Sequence, residues 1–318
     1  MFSAVVFAYS EVGVRCLGAL IEHHVRVPMV VTHEDSATEK AWFGSVAELA
    51  TSHGIAVVKP ADPSGQDCIR RVGALAPDYI FSFYYRALLS EPLLACARWG
   101  ALNMHGSLLP KYRGRACVNW AILNGETETG ATLHYMVSKP DAGPIIAQEP
   151  VPIGIDDTAL CVSKAVAAAA ARLLVRALPA LASGPPPARP MNLSKGSYFG
   201  ARTPEDGRID LNWPAAQIHA LIRAVAPPFP GAFTDLGSAR LLFAGSHWCG
   251  ERSAHPRLAP CLYVEHGCLY LDCSDGLRLQ ITALTMNDKP MDAQAFHRLY
   301  GEAPLTLATI ASRRKLQL

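Results

Sequence analysis

The chain has 318 residues, of which half are apolar and 18% are charged, and its formal net charge is only +2. This composition supports a sizeable core in about two domains and excludes a disordered or collagen-like chain. The near balance of charge argues against a partner held by bulk electrostatics, such as a long nucleic acid or an anionic membrane.

Apolar strand patterns alternate with helical patterns through the first half of the sequence. Strands are predicted at residues 3–8, 26–32, 55–58, 79–83, 101–104, 131–136 and 145–151. Helices are predicted at residues 12–23, 45–52, 68–75, 116–123 and 157–181. Continuous apolar strands separated by helices indicate a parallel sheet that is covered on both faces. We therefore predict a doubly wound, mostly parallel α/β domain.

A proline-rich segment at residues 184–190 divides the sequence, because it cannot continue a helix and favours an extended chain. We expect a first domain at 1–184, a linker at 185–203 and a smaller domain at 204–318. In the smaller domain a helix is predicted at 215–225, and short strands at 232–235, 240–244, 262–264, 268–271 and 277–282. Short strands with glycine-rich turns predict a small β-barrel or sandwich.

Cysteine usage and hydropathy bear on the cellular compartment. Nine cysteines occur without a C-x-x-C pair, which predicts reduced thiols and no zinc site. The longest apolar candidate for a membrane span is interrupted by Lys164, Arg172 and Arg176, so we expect no transmembrane helix. The apolar N-terminus lacks a basic leader and a cleavage pattern. We expect a cytoplasmic protein that binds no metal.

The usual phosphate-binding signatures are missing from the sequence. Neither G-x-G-x-x-G after the first strand nor G-x-x-x-x-G-K-[ST] occurs. A dinucleotide-dependent oxidoreductase is therefore disfavoured.

The densest polar segment spans residues 103–115, at the end of a predicted strand. Ligands of parallel α/β sheets bind beyond the carboxyl ends of the strands. Asn103 and His105 are two residues apart on a strand, so their side chains share a face. An amide beside an imidazole can stabilise a developing oxyanion and move a proton. Arg113 and Arg115 could hold anionic groups of a ligand.

Asp141 lies in a second polar turn, between two predicted strands. A carboxylate there could face His105 and determine which ring nitrogen carries the proton. The alternative is that His105 is a core histidine with satisfied hydrogen bonds and that Asp141 is an ordinary turn residue. Spacing alone leaves both interpretations open.

Asn103, the run HGSLLPKYRG at residues 105–114, and Asp141 in a D-A-G turn resemble the formyl-tetrahydrofolate-dependent formyltransferases. The resemblance continues at residues 202–210 and 223–232. It implies a Rossmann-like domain followed by a small OB-like, β-barrel-like domain. It also implies that Asn103, His105 and Asp141 are catalytic, that 10-formyltetrahydrofolate is the formyl donor, and that no metal takes part.

The same resemblance implies two sets of binding residues. The folate contacts that it implies are Ala87, Leu88, Leu89, Arg115, Val137, Ser138, Lys139, Pro140 and Asp141. The candidates for lining the sugar-nucleotide side are Tyr84, Tyr85, Arg86 and Arg113. Plain structural roles stay open for several of them: residues 87–89 as a helix start, residues 84–86 as core, and Arg113 as a brace of its loop.

Other segments, among them FSFYYR at 81–86 and NGETETG at 124–130, are similar to the formyltransferase half of the bifunctional polymyxin-resistance enzymes (ArnA). This similarity implies formylation of the 4-amine of UDP-4-amino-4-deoxy-L-arabinose, an intermediate in lipid A modification. The dehydrogenase/decarboxylase half of those enzymes has no counterpart in the 318 residues, so we expect formyl transfer alone.

Three alternatives stay open beside this prediction. A formyltransferase for another nucleotide-linked amino sugar would use the same chemistry. Methionyl-tRNA formyltransferases share the three polar residues, but they have a basic loop where residues 32–40 here contain three acids and one base, which would repel phosphates. A non-catalytic folate or nucleotide sensor would not require the complete Asn–His–Asp set. We expect folate and a nucleotide sugar as partners, without nucleic acid or membrane, and the oligomeric state stays open.

Overall fold

The computed structural model describes residues 2–34, 42–253 and 259–307. The chain forms two compact units. The first comprises Met1–Val118, Glu128–Pro152 and Val162–Ala201, and the second comprises Asn119–Thr127, Ile153–Cys161 and Arg202–Leu318. Two short segments from the first half of the sequence therefore belong to the second unit.

A seven-stranded sheet forms the centre of the first unit. The strands in this part of the chain are β1 (Ser3–Ala8), β2 (Arg26–Val31), β3 (Ala56–Val58), β4 (Tyr79–Phe83), β5 (Gly100–His105), β6 (Arg113–Gly114), β7 (Glu128–Tyr135), β8 (Ile145–Pro152) and β9 (Tyr198–Phe199). The sheet order is β3-β2-β1-β4-β5-β7-β8, while β6 and β9 pair separately. Strands β1 to β5 are parallel and β7 and β8 are antiparallel, which confirms the mostly parallel sheet.

Both faces of this sheet are covered by apolar side chains. The helices up to residue 182 are α1 (Ser10–Glu22), α2 (Val46–Ser52), α3 (Gln66–Leu75), α4 (Glu91–Leu94), α5 (Cys117–Leu123) and α6 (Ala159–Ala182). Alternate residues of β1 enter different clusters: Ala4 and Val6 belong to one, Val5 and Phe7 to the other. Since successive side chains of a strand point to opposite faces, the two clusters lie on opposite faces of the sheet.

Helix α6 is long and apolar enough, by length and composition, to cross a membrane, with a mean hydropathy of 1.6 in its most apolar window. Half of that window is buried, and several of its alanines and leucines belong to a core cluster with strand residues. Arg172 and Arg176 on this helix pair with Glu149 of β8, and the hydrogen bond from Arg176 lowers the pKa of Glu149. These contacts are those of a core helix.

The second unit is built on one antiparallel sheet. Its elements are α7 (Ala215–Val225), β10 (Ala232–Leu236), β11 (Ala239–Arg252), β12 (Cys261–Glu265), β13 (Cys268–Asp272), β14 (Leu277–Met286), β15 (Lys289–Pro290), α8 (Ala293–Tyr300) and β16 (Leu305–Thr306). The strand order is β10-β11-β14-β13-β12-β16, with β15 beside β14. Register shifts between β11 and β14 curl the sheet, because bulges bend a strand and increase its twist. This curled sheet confirms the predicted small β-rich fold.

Helix α7 explains why the two short segments belong to the second unit. The Arg223 guanidinium donates to the carbonyl oxygens of Gly154 (3.2 Å) and Asp157 (3.0 Å). The Asn119 amide donates to the carbonyl oxygen of Ala224 at 2.6 Å. Arg223 thus satisfies backbone carbonyls of one segment, and the carbonyl of Ala224 accepts from a side chain of the other, which is a structural role for both residues.

The Tyr79 hydroxyl provides a test of the core of the first unit. It is buried, and it lies 2.7 Å from the carbonyl oxygen of Gly184 and 3.2 Å from that of Leu181. Leu181 is in the last turn of α6, and Gly184 lies just beyond the end of this helix. Tyr79→Phe leaves these carbonyls without this donor, so we expect the free energy of unfolding in urea to fall by about 1–2 kcal/mol. The control Tyr198→Phe, at an exposed ring, should change it by less than about 0.5 kcal/mol. Equal effects of the two substitutions would contradict this role of Tyr79.

Candidate active site

Four polar side chains meet on one side of the central sheet. Asn103 and His105 lie on β5 with the two-residue spacing that places both on the same face. His134 on β7 is the register partner of Asn103. Asp141 lies in the turn between β7 and β8 with φ of 50°, a left-handed conformation that aspartate tolerates better than most residues.

The carboxylate of Asp141 lies at the centre of this group. Its Oδ2 accepts the backbone N–H of Gly114 at 2.9 Å. Its Oδ1 lies 3.3 Å from Asn103 Nδ2, 3.5 Å from His105 Nδ1 and 3.8 Å from His134 Nε2. The structure therefore brings together the three residues predicted to be catalytic and adds His134, which the sequence analysis did not single out.

His134 determines the orientation of the Asn103 amide. Its Nδ1–H donates to the carbonyl oxygen of Tyr135 at 2.8 Å, so its Nε2 must accept a hydrogen bond. The partner is Nδ2 of Asn103, at 3.1 Å. Burial, reinforced by the neighbouring His105, lowers the pKa of His134 to about 4, so the ring is neutral at pH 7. The amide nitrogen of Asn103 is therefore directed at His134 and Asp141.

His105 and Asp141 form a pair that can hold a proton. His105 is buried, and its Nε2–H donates to the carbonyl oxygen of Tyr112 at 2.8 Å. Its other ring nitrogen, Nδ1, faces the Asp141 carboxylate rather than a donor. A proton on Nδ1 would be shared between imidazole and carboxylate, which is the arrangement needed to accept and release a proton. One ring nitrogen of His105 is thus bonded to a backbone carbonyl, and the other is directed at a carboxylate.

Two glycines allow the loop after β5 to approach its neighbours. A Cβ on Gly106 would overlap the hydroxyl of Tyr84, a half-buried residue whose hydroxyl lies beside the thiol of Cys117. This burial raises the pKa of Tyr84 well above its ordinary value. Gly114 has φ of 95°, and a Cβ there would overlap the carbonyl oxygen of Phe199. Only glycine fits at either position without displacement of a neighbour.

The segment at residues 197–199 holds this loop in place. The hydroxyl and the carbonyl oxygen of Ser197 accept the backbone N–H groups of Tyr112 (2.9 Å) and Arg113 (3.0 Å). The Phe199 ring stacks on Tyr112 with a centroid distance of 5.4 Å. These bonds position the loop that supplies the Gly114 N–H to Asp141.

The predicted sugar-nucleotide residues after β4 differ in exposure. Tyr85 is buried and stacks on His33, with a centroid distance of 4.1 Å. Arg86 is exposed, and its guanidinium lies 4.5 Å from the ring centroid of Tyr9. Because Tyr9, His33 and Arg86 follow β1, β2 and β4, they lie at the carboxyl edge where the strand order reverses. The side chain of Arg86 is thus exposed at this edge, whereas Tyr85 stacks on His33 and the Tyr84 hydroxyl lies beside the Cys117 thiol.

The two predicted folate segments lie over the same face of the sheet. Ala87 and Leu89 pack against the same apolar cluster as Met136. Leu88, which lies between Ala87 and Leu89, is 74% exposed, and Val137, which follows Met136, is 43% exposed. Residues 87–89 therefore contribute to the core and also present Leu88 to solvent. Exposed apolar side chains of this kind suit a flat, apolar ligand ring.

The two arginines of the loop have different surroundings. Arg115 reaches towards the carbonyl oxygen of Arg86, with Nη2 at 3.5 Å. Arg113 is buried beside Tyr198, and its Nε has no hydrogen-bond partner within the part of the chain that the structure describes. Its burial fits a brace of the loop better than a direct contact with a ligand.

Several predictions concern metals, thiols and the acidic segment. Within residues 2–34, 42–253 and 259–307 no cluster of three or more His, Cys, Asp or Glu side chains is placed to hold a metal ion. The nine cysteines are free thiols. Most of the acidic segment at 32–40 lies outside the described residues, and within the described part Glu34 pairs with Lys59 at 2.7 Å.

Family models match both parts of the chain. Residues 6–178 match the formyl transferase family, and residues 202–301 match the formyl transferase C-terminal domain. The chain belongs to the formyl transferase family. This formyl transferase is therefore a formyl-transferring enzyme, and its polar cluster lies within the matched N-terminal region.

Solved structures similar to this formyl transferase include two that match nearly their whole length. One is the N-formyltransferase from Helicobacter canadensis in complex with folinic acid and dTDP-3-aminofucose, with 20% identity, a TM-score of 0.67 and coverage of 88% of this chain and 99% of that chain. Another is WlaRD, a sugar 3N-formyl transferase with dTDP and 5-N-formyl-THF, with 19% identity, a TM-score of 0.67 and coverage of 91% and 99%.

A third similar structure is a 4-N formyltransferase from Francisella tularensis, with 21% identity, a TM-score of 0.60 and coverage of 73% of this chain and 91% of that chain. At these identities the likeness to all three structures is one of fold. The chemistry of this formyl transferase must therefore be argued from its own residues.

The protonation of His134 tests the geometry of the site. We expect ¹⁵N NMR of histidine-labelled protein, assigned with His134→Gln, to show an Nδ1–H tautomer at pH 7 and a titration midpoint near pH 4. Because unfolded histidine takes up its proton near pH 6.5, wild type should lose stability relative to His134→Gln as the pH falls from 6.5 towards 4. A midpoint near 6.5, or an Nε2–H tautomer, would contradict the proposed orientation of Asn103.

Proposed function

We propose that this formyl transferase moves the formyl group of 10-formyltetrahydrofolate to the amine of a nucleotide-linked amino sugar, and that its acceptor is UDP-4-amino-4-deoxy-L-arabinose. The observation that carries the proposal is the Asp141 carboxylate, which faces His105 Nδ1 at 3.5 Å and Asn103 Nδ2 at 3.3 Å. This set of groups supplies a proton acceptor and an oxyanion donor, the two requirements of acyl transfer to an amine.

The exposed apolar side chains fit the donor. Leu88 and Val137, which emerge beside the same apolar cluster, would contact the pteridine ring, and the backbone of residues 137–141 would meet its polar edge. When bound, 10-formyltetrahydrofolate supplies the activated formyl group. The complexes of the Helicobacter canadensis enzyme and WlaRD with folate derivatives support this choice of donor.

Asp141 is the group that receives the amine proton. Its side chain is 15% exposed, whereas that of His105 is 7% exposed, so the carboxylate is the more accessible of the two groups to an incoming amine. His105 Nδ1, 3.5 Å from Oδ1, shares the proton and limits the charge change at the carboxylate. The pair then returns the proton to the departing nitrogen of the donor, so no proton is gained or lost.

Asn103 stabilises the negative charge that develops on the formyl oxygen. Its contact with Asp141 Oδ1 is 3.3 Å long, beyond the usual range for N–H···O bonds, whereas its contact with His134 is 3.1 Å. The oxyanion therefore competes for the N–H that faces Asp141, while His134 keeps the amide oriented. A preorganised donor of this kind is typically worth about 10²–10³ in rate.

The acceptor is the more specific part of the proposal. The segments at 81–86 and 124–130, similar to the polymyxin-resistance formyltransferases, support a UDP-linked 4-amino sugar and a role in lipid A modification. The dTDP-3-aminofucose complex of the Helicobacter canadensis enzyme supports the wider class of nucleotide sugars and keeps 3-amino sugars as the second candidate. The free thiols suit a cytoplasmic location, where the donor and nucleotide sugars occur.

A panel of acceptors tests this function. Purified protein with 10-formyltetrahydrofolate would be offered UDP-4-amino-4-deoxy-L-arabinose, dTDP-linked 3-amino and 4-amino sugars, and methionyl-tRNA in parallel. We expect the highest kcat/KM with the UDP-linked sugar and, by mass spectrometry, a gain of one formyl group on that product. The variant Asn103→Ala, run as a control against contaminating activity, should be slower by about 10²–10³.

The outcomes of the panel separate the candidates. A preference for a dTDP-linked sugar would change the proposed acceptor but leave the proposed formyl transfer to an amine in place. Turnover of methionyl-tRNA alone, or no turnover in a protein shown to be folded, would overturn the proposed function.

A further inference from the structure

Tyr198 is a large side chain that the fold leaves open to solvent, with 59% of its surface exposed. It lies on the short strand β9, which pairs in parallel with β6, and its register partner is Arg113. The resemblance to known formyltransferases implies no role for Tyr198. Packing in the core does not explain why so large a side chain is exposed.

The ring of Tyr198 lies close to the polar cluster. A Cβ built on Gly114 would lie 3.3 Å from Tyr198 Cζ, and the N–H of the same glycine donates to Asp141 Oδ2 at 2.9 Å. With standard backbone dimensions, the hydroxyl-bearing end of the ring is therefore within about 9 Å of the Asp141 carboxylate. A molecule whose amine meets Asp141 would have this ring within reach.

The surroundings of the ring hold it in position. Its neighbour Phe199 stacks on Tyr112, and the backbone on both sides is bonded to the loop at residues 112–115. The guanidinium of Arg113, a buried residue, lies 5.8 Å from the ring centroid of Tyr198. Little conformational entropy is then lost when a ligand packs on the exposed part of the ring.

We infer that Tyr198 is a specificity-determining contact for the acceptor, and that it packs against the sugar ring rather than the nucleobase. This inference rests on the proposed function. The ring carbons of an amino sugar lie within about 5 Å of its amine, whereas the base of an extended nucleotide sugar lies more than about 10 Å away. At its distance from Asp141, Tyr198 therefore meets the sugar, whose C–H face is the apolar partner that an aromatic face prefers.

The side chains proposed to contact the folate donor lie on other segments of the chain than Tyr198. Leu88 and Val137, the apolar side chains proposed to contact the pteridine, lie in the segments between β4 and α4 and between β7 and β8, whereas Tyr198 lies on β9 beside β6. Removal of the Tyr198 ring should therefore weaken the binding of the acceptor without weakening the binding of the folate. The hydroxyl is not required for this contact, so phenylalanine should replace tyrosine.

Steady-state kinetics with both substrates varied test the assignment, with the acceptor that turns over best in the panel. We expect Tyr198→Ala to raise KM for the acceptor about five- to tenfold, with kcat and KM for the folate within about twofold of wild type. Tyr198→Phe should stay within about twofold in all three constants. Leu299→Ala, at a similarly exposed side chain on α8 of the second unit, is the matched control and should change none of them.

Saturation-transfer NMR with the same acceptor and no donor gives a readout that does not depend on turnover. In wild type, the sugar-ring protons should receive more saturation than the base protons, and Tyr198→Ala should lower the sugar signal selectively. An acceptor KM in Tyr198→Ala equal to that of Leu299→Ala, a rise in the folate KM instead, or a selective loss at the base protons would overturn the inference. Absence of any turnover by wild type would instead overturn the proposed function on which it rests.

Discussion

The carboxylate of Asp141 holds the candidate active site together. One oxygen accepts the backbone N–H of Gly114, and the other faces the side chains of Asn103 and His105. Without this carboxylate, His105 Nδ1 would face no proton acceptor in the cluster, and the Asn103 amide would keep only His134 as a partner. In the proposed mechanism, the oxyanion donor and the proton relay both contact this one negative charge, which lies in a mostly buried position.

The backbone around the cluster is arranged to keep that carboxylate in place. The left-handed turn at Asp141 aims it at β5, and the positive φ of Gly114 lets the loop after β5 present an N–H to it. That loop is in turn bonded to residues 197–199, far along the chain. His134, kept neutral by burial, completes the arrangement because its lone pair accepts from the Asn103 amide nitrogen and so helps to orient that amide.

How much of this could be predicted from sequence depends on how local each contact is. The parallel strands and the pair Asn103 and His105 follow from apolar runs and from strand spacing. His134 could not be recognised, because its contact with Asn103 joins residues 31 apart and needs the register of β5 and β7. The position of Tyr198 near the polar cluster could likewise not be predicted, because it depends on the pairing of β6 with β9. Helix α8 was not predicted, because it buries mainly Phe296. The Asp292 cap at its start is a signal that the sequence does contain.

The most direct test of the central claim is the turnover number of Asp141→Asn with 10-formyltetrahydrofolate and the preferred nucleotide sugar. We expect kcat to fall by about 10³, because the amide neither accepts the amine proton nor supports a shared proton on His105. Asp67→Asn, at an exposed acid on α3, should leave kcat unchanged. A folded Asp141→Asn enzyme with kcat within tenfold of wild type would contradict the account.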